Sequence, residues 1–392
     1  MNAKRPIPTG LILTGGGARA AYQVGVLKGV SELLGRPEVS PFQILCGTSA
    51  GAINAASLAT RSEHFAGSVD WLLETWRNFR AHQVYRTDRP AIVRSAARWL
   101  GAILQVYRRN PVSLLDNSPL TTMLAREVDF ERVRANIASG ALRAISLTAS
   151  GYASGASVVF YESADGNCDW ERPQRTGVAT RLTIEHLLAS ASLPFLFRAV
   201  RIGREYFGDG SMRQIAPISP ALHLGAERVL IVGTGRQTQD PNRVRGNLYP
   251  TMAQIAGHAL NSIFLDTLAQ DIEWLERINQ FVGAPRQDAT QAATPAATPG
   301  VTPRERASVR HVAALVISPS QAIERIAARH LHELPRSIRF LLRPIGAMNR
   351  SGSNLVSYLL FEPGFTRDLI ELGFADVMAR RAEVLAFLSA DA

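Results

Sequence analysis

A chain of 392 residues is long for one ordinary domain, yet one large α/β unit with insertions accommodates it, and an apolar fraction of 46% supports a sizeable core. Only two cysteines are present, Cys46 and Cys168, which excludes a disulfide framework and any cysteine-based metal spacing. Against 33 acids stand 43 Lys and Arg, and the net charge of +10 favours anionic partners, although it is equally the solubility charge of an Arg-rich composition.

The opening MNAKRPIPTGLILTGGG has no apolar stretch long enough for a secretory signal before glycines break it. No run of about 18 apolar residues occurs, so no transmembrane span is expected. The expected compartment is cytoplasmic, with membrane contact only at a surface.

Leu11 to Thr14 reads as a short buried strand broken by Gly15-Gly16-Gly17, and from Ala18 small and apolar residues recur at helical spacing (Ala21, Tyr22, Gly25, Val26, Gly29, Val30). A strand–glycine–helix junction points bare backbone N–H groups at whatever lies above it. Two functions compete for it. Gly15-x-Gly17-x-x-Ala20 satisfies a loose dinucleotide fingerprint, but that reading wants an acid at the end of the next strand. The next strand ends Leu45-Cys46-Gly47-Thr48-Ser49 without one. The other function is an oxyanion hole, for which a nucleophile about thirty residues later is the natural partner.

That nucleophile is offered by Phe42 to Gly51. An apolar run containing Cys46, expected as a buried thiol, ends in Gly47-Thr48-Ser49-Ala50-Gly51, and small residues follow. The pattern predicts strand, tight turn and helix with a serine at the apex. Glycines two before and two after the serine leave room for a turn packed closely against its neighbours. Alone, the pentapeptide is also what an ordinary glycine-rich strand–helix turn looks like.

Residues 63–79 read as an amphipathic helix (Phe65, Val69, Leu72, Leu73, Trp76). From Arg77 to Arg109 come Arg77, Arg80, Arg86, Arg89, Arg94, Arg98, Arg108 and Arg109, with Asp88 as the one acid and apolar residues interleaved. Such a stretch suits an anionic bilayer surface, or simply a solvated basic face over a packed stripe. A helix capped near Asn117 or Ser118 follows, then two strands, Leu142 to Thr148 and Ser157 to Tyr161. Thr183 to Leu193 is a helix of small residues stopped by Pro194. The strand Glu205 to Phe207 runs into Asp209-Gly210, by default only a turn, but at a strand end expected on the same side of a sheet as Ser49. Pro217 and Pro220 open a helix, and Arg228 to Val232 is another buried strand. Residues 251–280 are expected to be helical, 284–306 to be a disordered Ala/Thr/Pro-rich insertion, and His311 to Ser318 a strand. The remainder reads as helical, with Arg336, Arg339 and Arg343 beside Ile338, Leu341 and Leu342.

Gly15-Gly16-Gly17-Ala18-Arg19, Gly47-Thr48-Ser49-Ala50-Gly51 and Asp209-Gly210, in this order, resemble the patatin-like phospholipases, and Ala189-Ser190-Ala191-Ser192-Leu193-Pro194 resembles a fourth element of that family. The resemblance covers roughly residues 9–222, and Ser357-Tyr358-Leu359-Leu360-Phe361 in the tail is similar to bacterial members. It implies a three-layer α/β fold with a central, mostly parallel sheet and helices on both faces. It implies a catalytic domain over 9–222, with 223–392 an extension completing the fold. It also implies a lipid acyl hydrolase of phospholipids or lysophospholipids, without metal or other cofactor. In it Ser49 is the nucleophile, Asp209 the proton acceptor, and Gly15, Gly16, Gly17 and Arg19 the oxyanion loop, with Gly47, Gly51 and Gly210 as motif positions. Two residues depart from the family pattern: Ala20 stands for glycine, and Ser211 for glycine or alanine.

The chemistry is coherent on its own terms. Serine needs a neighbour to accept its proton, and none of the eight histidines sits in the order or context of a Ser–acid–His hydrolase. A partly buried aspartate can take that role directly. Arg19 is expected to orient the glycine loop or to hold a substrate phosphate. Transacylation by the same pair and a silent, membrane-surface binding protein are the alternatives. No nucleic acid partner is expected.

Overall fold

The computed structural model describes residues 7–88, 90, 97, 113–166, 169–236, 249–263, 267–283, 311–349 and 352–389. The short apolar runs become strands because each is buried on both faces. β1 (Thr9–Leu13), β2 (Ile44–Thr48), β3 (Ala144–Gly151) and β9 (Arg228–Val232) are buried at every position. With β4 (Ser157–Ser163), β5 (Trp170–Arg172), β6 (Arg175–Ala179), β7 (Val200–Ile202), β8 (Glu205–Asp209) and β10 (Ala313–Ile317) they form one sheet in the order β10-β9-β1-β2-β3-β4-β6-β5. The run from β10 to β3 is parallel, in the registers Leu315↔Leu230, Leu11↔Leu230, Leu11↔Leu45 and Leu45↔Ile145.

Alternation along the strands sends side chains into two cores. Leu11, Leu13, Leu45, Leu230 and Val232 face one layer, with α1 (Ala21–Leu33), α2 (Ala50–Thr60), α3 (Phe65–Arg77) and the helix Pro363–Ala379. Ile12, Ile44, Cys46, Val229 and Ile231 face the other, beneath the helices Ser219–His223 and Thr267–Gly283. The fold is therefore three-layered α/β with a mixed, mostly parallel sheet. Residues beyond 222 contribute β9 and β10 to the same sheet, β9 lying between β1 and β10.

Asp209 lies at the end of β3 where β2 also stops, and β8 reaches that point running antiparallel to β3, with Ala149↔Asp209 and Gly151↔Phe207. The expected insertion at 284–306, Cys168, and Arg89, Arg94, Arg98, Arg108 and Arg109 of the basic stretch lie outside the described residues. Arg86 is ion-paired with Asp88 at 3.0 Å.

Candidate active site

β2 ends at Thr48 and α2 begins at Ala50, so Ser49 alone makes the turn, at φ 57° and ψ −128°. A side-chain-bearing residue is strained in that conformation, by an amount of order 1–3 kcal/mol, and persists only where its surroundings over-determine it. Two contacts do so. The Ser190 hydroxyl accepts from the Ser49 backbone N–H at 3.0 Å and donates to the Thr148 carbonyl at 2.6 Å. Gly51 lets α2 press against the end of β1: a Cβ there would stand 2.2 Å from the Leu13 carbonyl oxygen. Gly47 and Gly210 lie equally close to neighbouring backbone.

The partner of Ser49 is fixed by a strand that carries neither residue. One edge of β3 is occupied by β4 along nearly its whole length. The opposite edge pairs with β2 as far as Thr148 and with β8 from Ala149 onward. β2 and β8 therefore meet end to end, and the residue just past one meets the last residue of the other. The Ser49 hydroxyl donates to Asp209 Oδ2 at 2.5 Å. Oδ1 accepts from the Ser211 backbone N–H at 2.9 Å, and the Asp209 N–H donates to the Ser192 carbonyl at 2.9 Å. Ser190 and Ser192 of the small-residue block thus hold Ser49 and Asp209 respectively.

Asp209 has no exposed surface and Ser49 is 2% exposed. Burial pushes the Asp209 carboxyl up to about 6, opposed by its hydrogen bonds from Ser49 and the Ser211 N–H. The Ser211 hydroxyl stands close enough to oppose the shift as well, but makes no hydrogen bond of good geometry. A carboxylate so placed is a stronger base than an exposed aspartate and is still ionised at neutral pH. It can take the serine proton as the oxygen attacks an electrophilic carbon.

Gly15 to Gly17 form the turn after β1. Gly17 has φ 56°, and a Cβ there would meet the Tyr358 carbonyl at 2.3 Å. The Ala18 N–H donates to that same carbonyl at 3.0 Å, and the Arg19 N–H to Gly16 at 3.1 Å. The Thr234 hydroxyl holds the Gly15 carbonyl. Among the described residues, the buried amides of Gly15, Gly16 and Gly17 themselves have no acceptor. Buried N–H groups are seldom left so, and Gly17 lines the same cavity as Ser49. The N-terminus of α2 adds its dipole.

The Arg19 side chain is 1% exposed and bonded to the later parts of the chain. Its Nε donates to Ser357 at 2.7 Å, Nη1 to Asn261 at 3.3 Å and Nη2 to Asn354 at 2.5 Å, and the guanidinium lies 4.0 Å over the Tyr358 ring. With these donors occupied, it ties the glycine loop to the C-terminal segment.

Ser49 and Gly17 open into a narrow cavity of about 40 Å³. Its walls are largely apolar, including Ile53, Trp71, Trp76, Phe79, Leu124 and Phe361. It extends over α2 and α3, whose inward stripe was legible in the sequence. No histidine lines it. Cys46, on the other side of the sheet, is a buried thiol pushed up to about 12 by burial. Three contributors were not foreseen. The Ser190 hydroxyl, the Thr234 hydroxyl and the Tyr358 carbonyl act across more than 100 residues of chain, and the only signal was the small-residue block for the first and the tail motif for the last. Among the described residues, no helix is long and apolar enough to cross a membrane.

The family model described as patatin-like phospholipase matches residues 11–222. The chain is 49% identical over 49 residues to a cGAMP-activated phospholipase of Pseudomonas aeruginosa and, with the same figures, to a cUMP-AMP-activated phospholipase of Escherichia coli. Each alignment spans 12% of this chain and 15% of the relative's length. Among solved structures, human GIVD cytosolic phospholipase A2 gives a TM-score of 0.46 at 12% identity, covering 98% of this chain and 59% of that one. VipD of Legionella pneumophila gives 0.33 at 14% identity, covering 93% and 67%.

Proposed function

This chain belongs to the patatin-like phospholipase family, and from that premise we propose that it is a serine lipid acyl hydrolase working through Ser49 and Asp209. The observation that carries the reading is the 2.5 Å hydrogen bond from the Ser49 hydroxyl to the buried Asp209 carboxylate, at the end of an apolar cavity. Each methylene of an acyl chain moved from water into such walls contributes about 0.8 kcal/mol. A fatty acyl ester of a phospholipid or lysophospholipid suits these walls chemically, its carbonyl between Ser49 and the glycine loop and its chain entering along Trp71 and Trp76 as the narrow cavity widens to admit it.

In this mechanism Asp209 accepts the hydroxyl proton as Ser49 attacks the ester carbon. The oxyanion is met by the free amides of Gly15 to Gly17, where losing one donor costs about 3–4 kcal/mol of transition-state stabilisation in comparable sites. Collapse breaks the bond to the alcohol, whose oxygen takes the proton back from Asp209, leaving the acyl group on Ser49. Water, deprotonated by Asp209, then attacks the acyl-enzyme, and collapse releases the fatty acid as Asp209 returns the proton to the Ser49 oxygen. Gly47 and Gly51 hold the serine turn, Gly210 lets Asp209 approach β3, and Arg19 positions the loop. The net charge of +10 supports peripheral contact with an anionic membrane surface.

The test is covalent labelling with an alkyl fluorophosphonate, the adduct mapped by mass spectrometry, beside a panel of phosphatidyl and lysophosphatidyl esters with and without cGAMP and cUMP-AMP. The adduct is expected on Ser49, and Ser49→Ala is expected to lose both labelling and hydrolysis while remaining folded. Wild-type-like hydrolysis by that variant would remove the proposal.

A further inference from the structure

The helix Arg336–Leu342 and its next residue present Arg336, Arg339 and Arg343 at spacings of three and four, a single helical face spanning about 11 Å of axis. With Leu331, Phe340 and Met348 they line an open groove of about 540 Å³. Among the described residues no acid is ion-paired with any of the three. The acid nearest in sequence, Glu333, is taken by His330 Nδ1 at 2.7 Å and by the Gly364 N–H at 3.1 Å. The Nε of Arg339 is buried without a hydrogen-bond partner. Three cations on one face, two of them exposed and none paired with an acid among the described residues, make that face strongly positive until an anion joins them.

Exposed apolar residues accompany the charge. Phe340, between the arginines, is 77% exposed. The loop after the helix accepts the Ala253 N–H on the Ile345 carbonyl at 3.0 Å, bringing in the start of the helix Met252–Asn261, where Tyr249 and Met252 are 90% and 66% exposed. On the other side the Ser337 hydroxyl donates to the Thr87 carbonyl at 2.5 Å, three residues from Val84, which lines the cavity shared with Ser49.

We propose that this arginine face, with Phe340 and its apolar neighbours, docks the protein onto the phosphate headgroups of an anionic lipid bilayer. Arginines bind phosphate oxygens through paired N–H donors, while an aromatic side chain enters the boundary between headgroups and acyl chains. A bilayer suits the groove better than a small soluble anion does. Sites for small ligands enclose most of the ligand's surface, whereas this groove lies open along its length. The surface deepens the lipid-hydrolase reading by naming where the substrate-bearing membrane is met, but its readout does not depend on hydrolysis.

The experiment is vesicle co-sedimentation of the full chain with phosphatidylcholine alone and with phosphatidylcholine containing phosphatidylglycerol, over a salt series. The wild type is expected to bind the anionic vesicles, less so as salt rises. Arg336→Glu/Arg343→Glu, at two exposed positions, is expected to lower that binding by at least about tenfold, and Phe340→Ala by less. Both variants should keep the wild-type melting temperature and hydrolysis of a soluble short-chain ester. Unchanged vesicle binding in the double variant, or equal binding to neutral vesicles, overturns the proposal. So does binding of inorganic phosphate by calorimetry without vesicle binding, which would make the groove a soluble-anion site. If the wild type hydrolyses no ester while the double variant still loses vesicle binding, docking stands and the hydrolase reading falls.

Discussion

Replacing Asp209 by asparagine tests the electrostatics of the site apart from its catalysis. Burial raises the carboxyl from 3.8 to about 6, so the folded protein holds that proton more tightly than the unfolded chain does. Stability from this group is fully present below pH 3.8 and is lost as pH rises through 6. A shift of roughly 2 units at about 1.36 kcal/mol each puts the cost of the ionised form near 3 kcal/mol at pH 8. Asparagine keeps the volume, still accepts from the Ser211 N–H, and can donate to Ser49, while the hydrogen bonds to the charged form are already included in the raised value. Asp209→Asn is therefore expected to be more stable than wild type by about 3 kcal/mol at pH 8, with the difference largely gone at pH 4. Urea unfolding at the two pH values measures it. Ester hydrolysis should be lost at every pH in the variant, and in the wild type kcat/KM should fall about tenfold per pH unit below 6. A variant less stable than wild type at pH 8 would refute the claim that Asp209 is held ionised against its surroundings.

Ser190→Ala leaves the Ser49 N–H and the Thr148 carbonyl without their shared hydroxyl, so a loss of about 1–3 kcal/mol in stability and a fall in kcat with little change in KM are expected; steady-state kinetics with thermal unfolding would show it. Ile53→Trp fills the cavity beside Ser49 and should shift preference toward shorter acyl chains across an ester series, with short-chain kcat retained. Arg19→Lys keeps the charge but cannot reach Ser357, Asn261 and Asn354 together, and is expected to cost about 2–4 kcal/mol in stability and to lower kcat through a loosened glycine loop. An unchanged melting temperature for that variant would argue against a tethering role.

The parts of the site legible in the sequence are those whose local chain already carries the geometry. Ser49 stands out because a turn of one residue between strand and helix demands small neighbours, and three consecutive glycines mark a loop stripped for backbone contact. Asp209 was legible as a position, at a strand end before a glycine, but not in direction: nothing within Glu205 to Asp209 tells whether its partner strand runs with it or against it. Arg19 shows a different limit. Its charge invites a phosphate, and only the fold reveals that Asn261, Asn354, Ser357 and Tyr358 already surround it. Ser190 sat within a block noted for small residues, yet its hydroxyl acts on Ser49 through a contact 141 residues away in the chain. Periodicity located α3 through Phe65, Val69, Leu72 and Trp76, but gave no sign that Leu72 and Trp76, with Trp71 and Thr75 of the same helix, also wall a cavity beside Ser49.

β3 contributes no reacting atom, yet it behaves as the ruler of the site. The separation of the serine from its carboxylate is counted in β3 residues: β2 stops at Thr148 and β8 takes over at Ala149. Lengthening the loops between β2 and β3, or between β7 and β8, leaves that count untouched, so the chain is free to elaborate there. One residue inserted between Thr148 and Ala149 would part the pair by about 3.3 Å and turn the carboxylate to the opposite face of the sheet. Tolerance to insertion in this protein should therefore be lowest in a strand where no side chain performs chemistry.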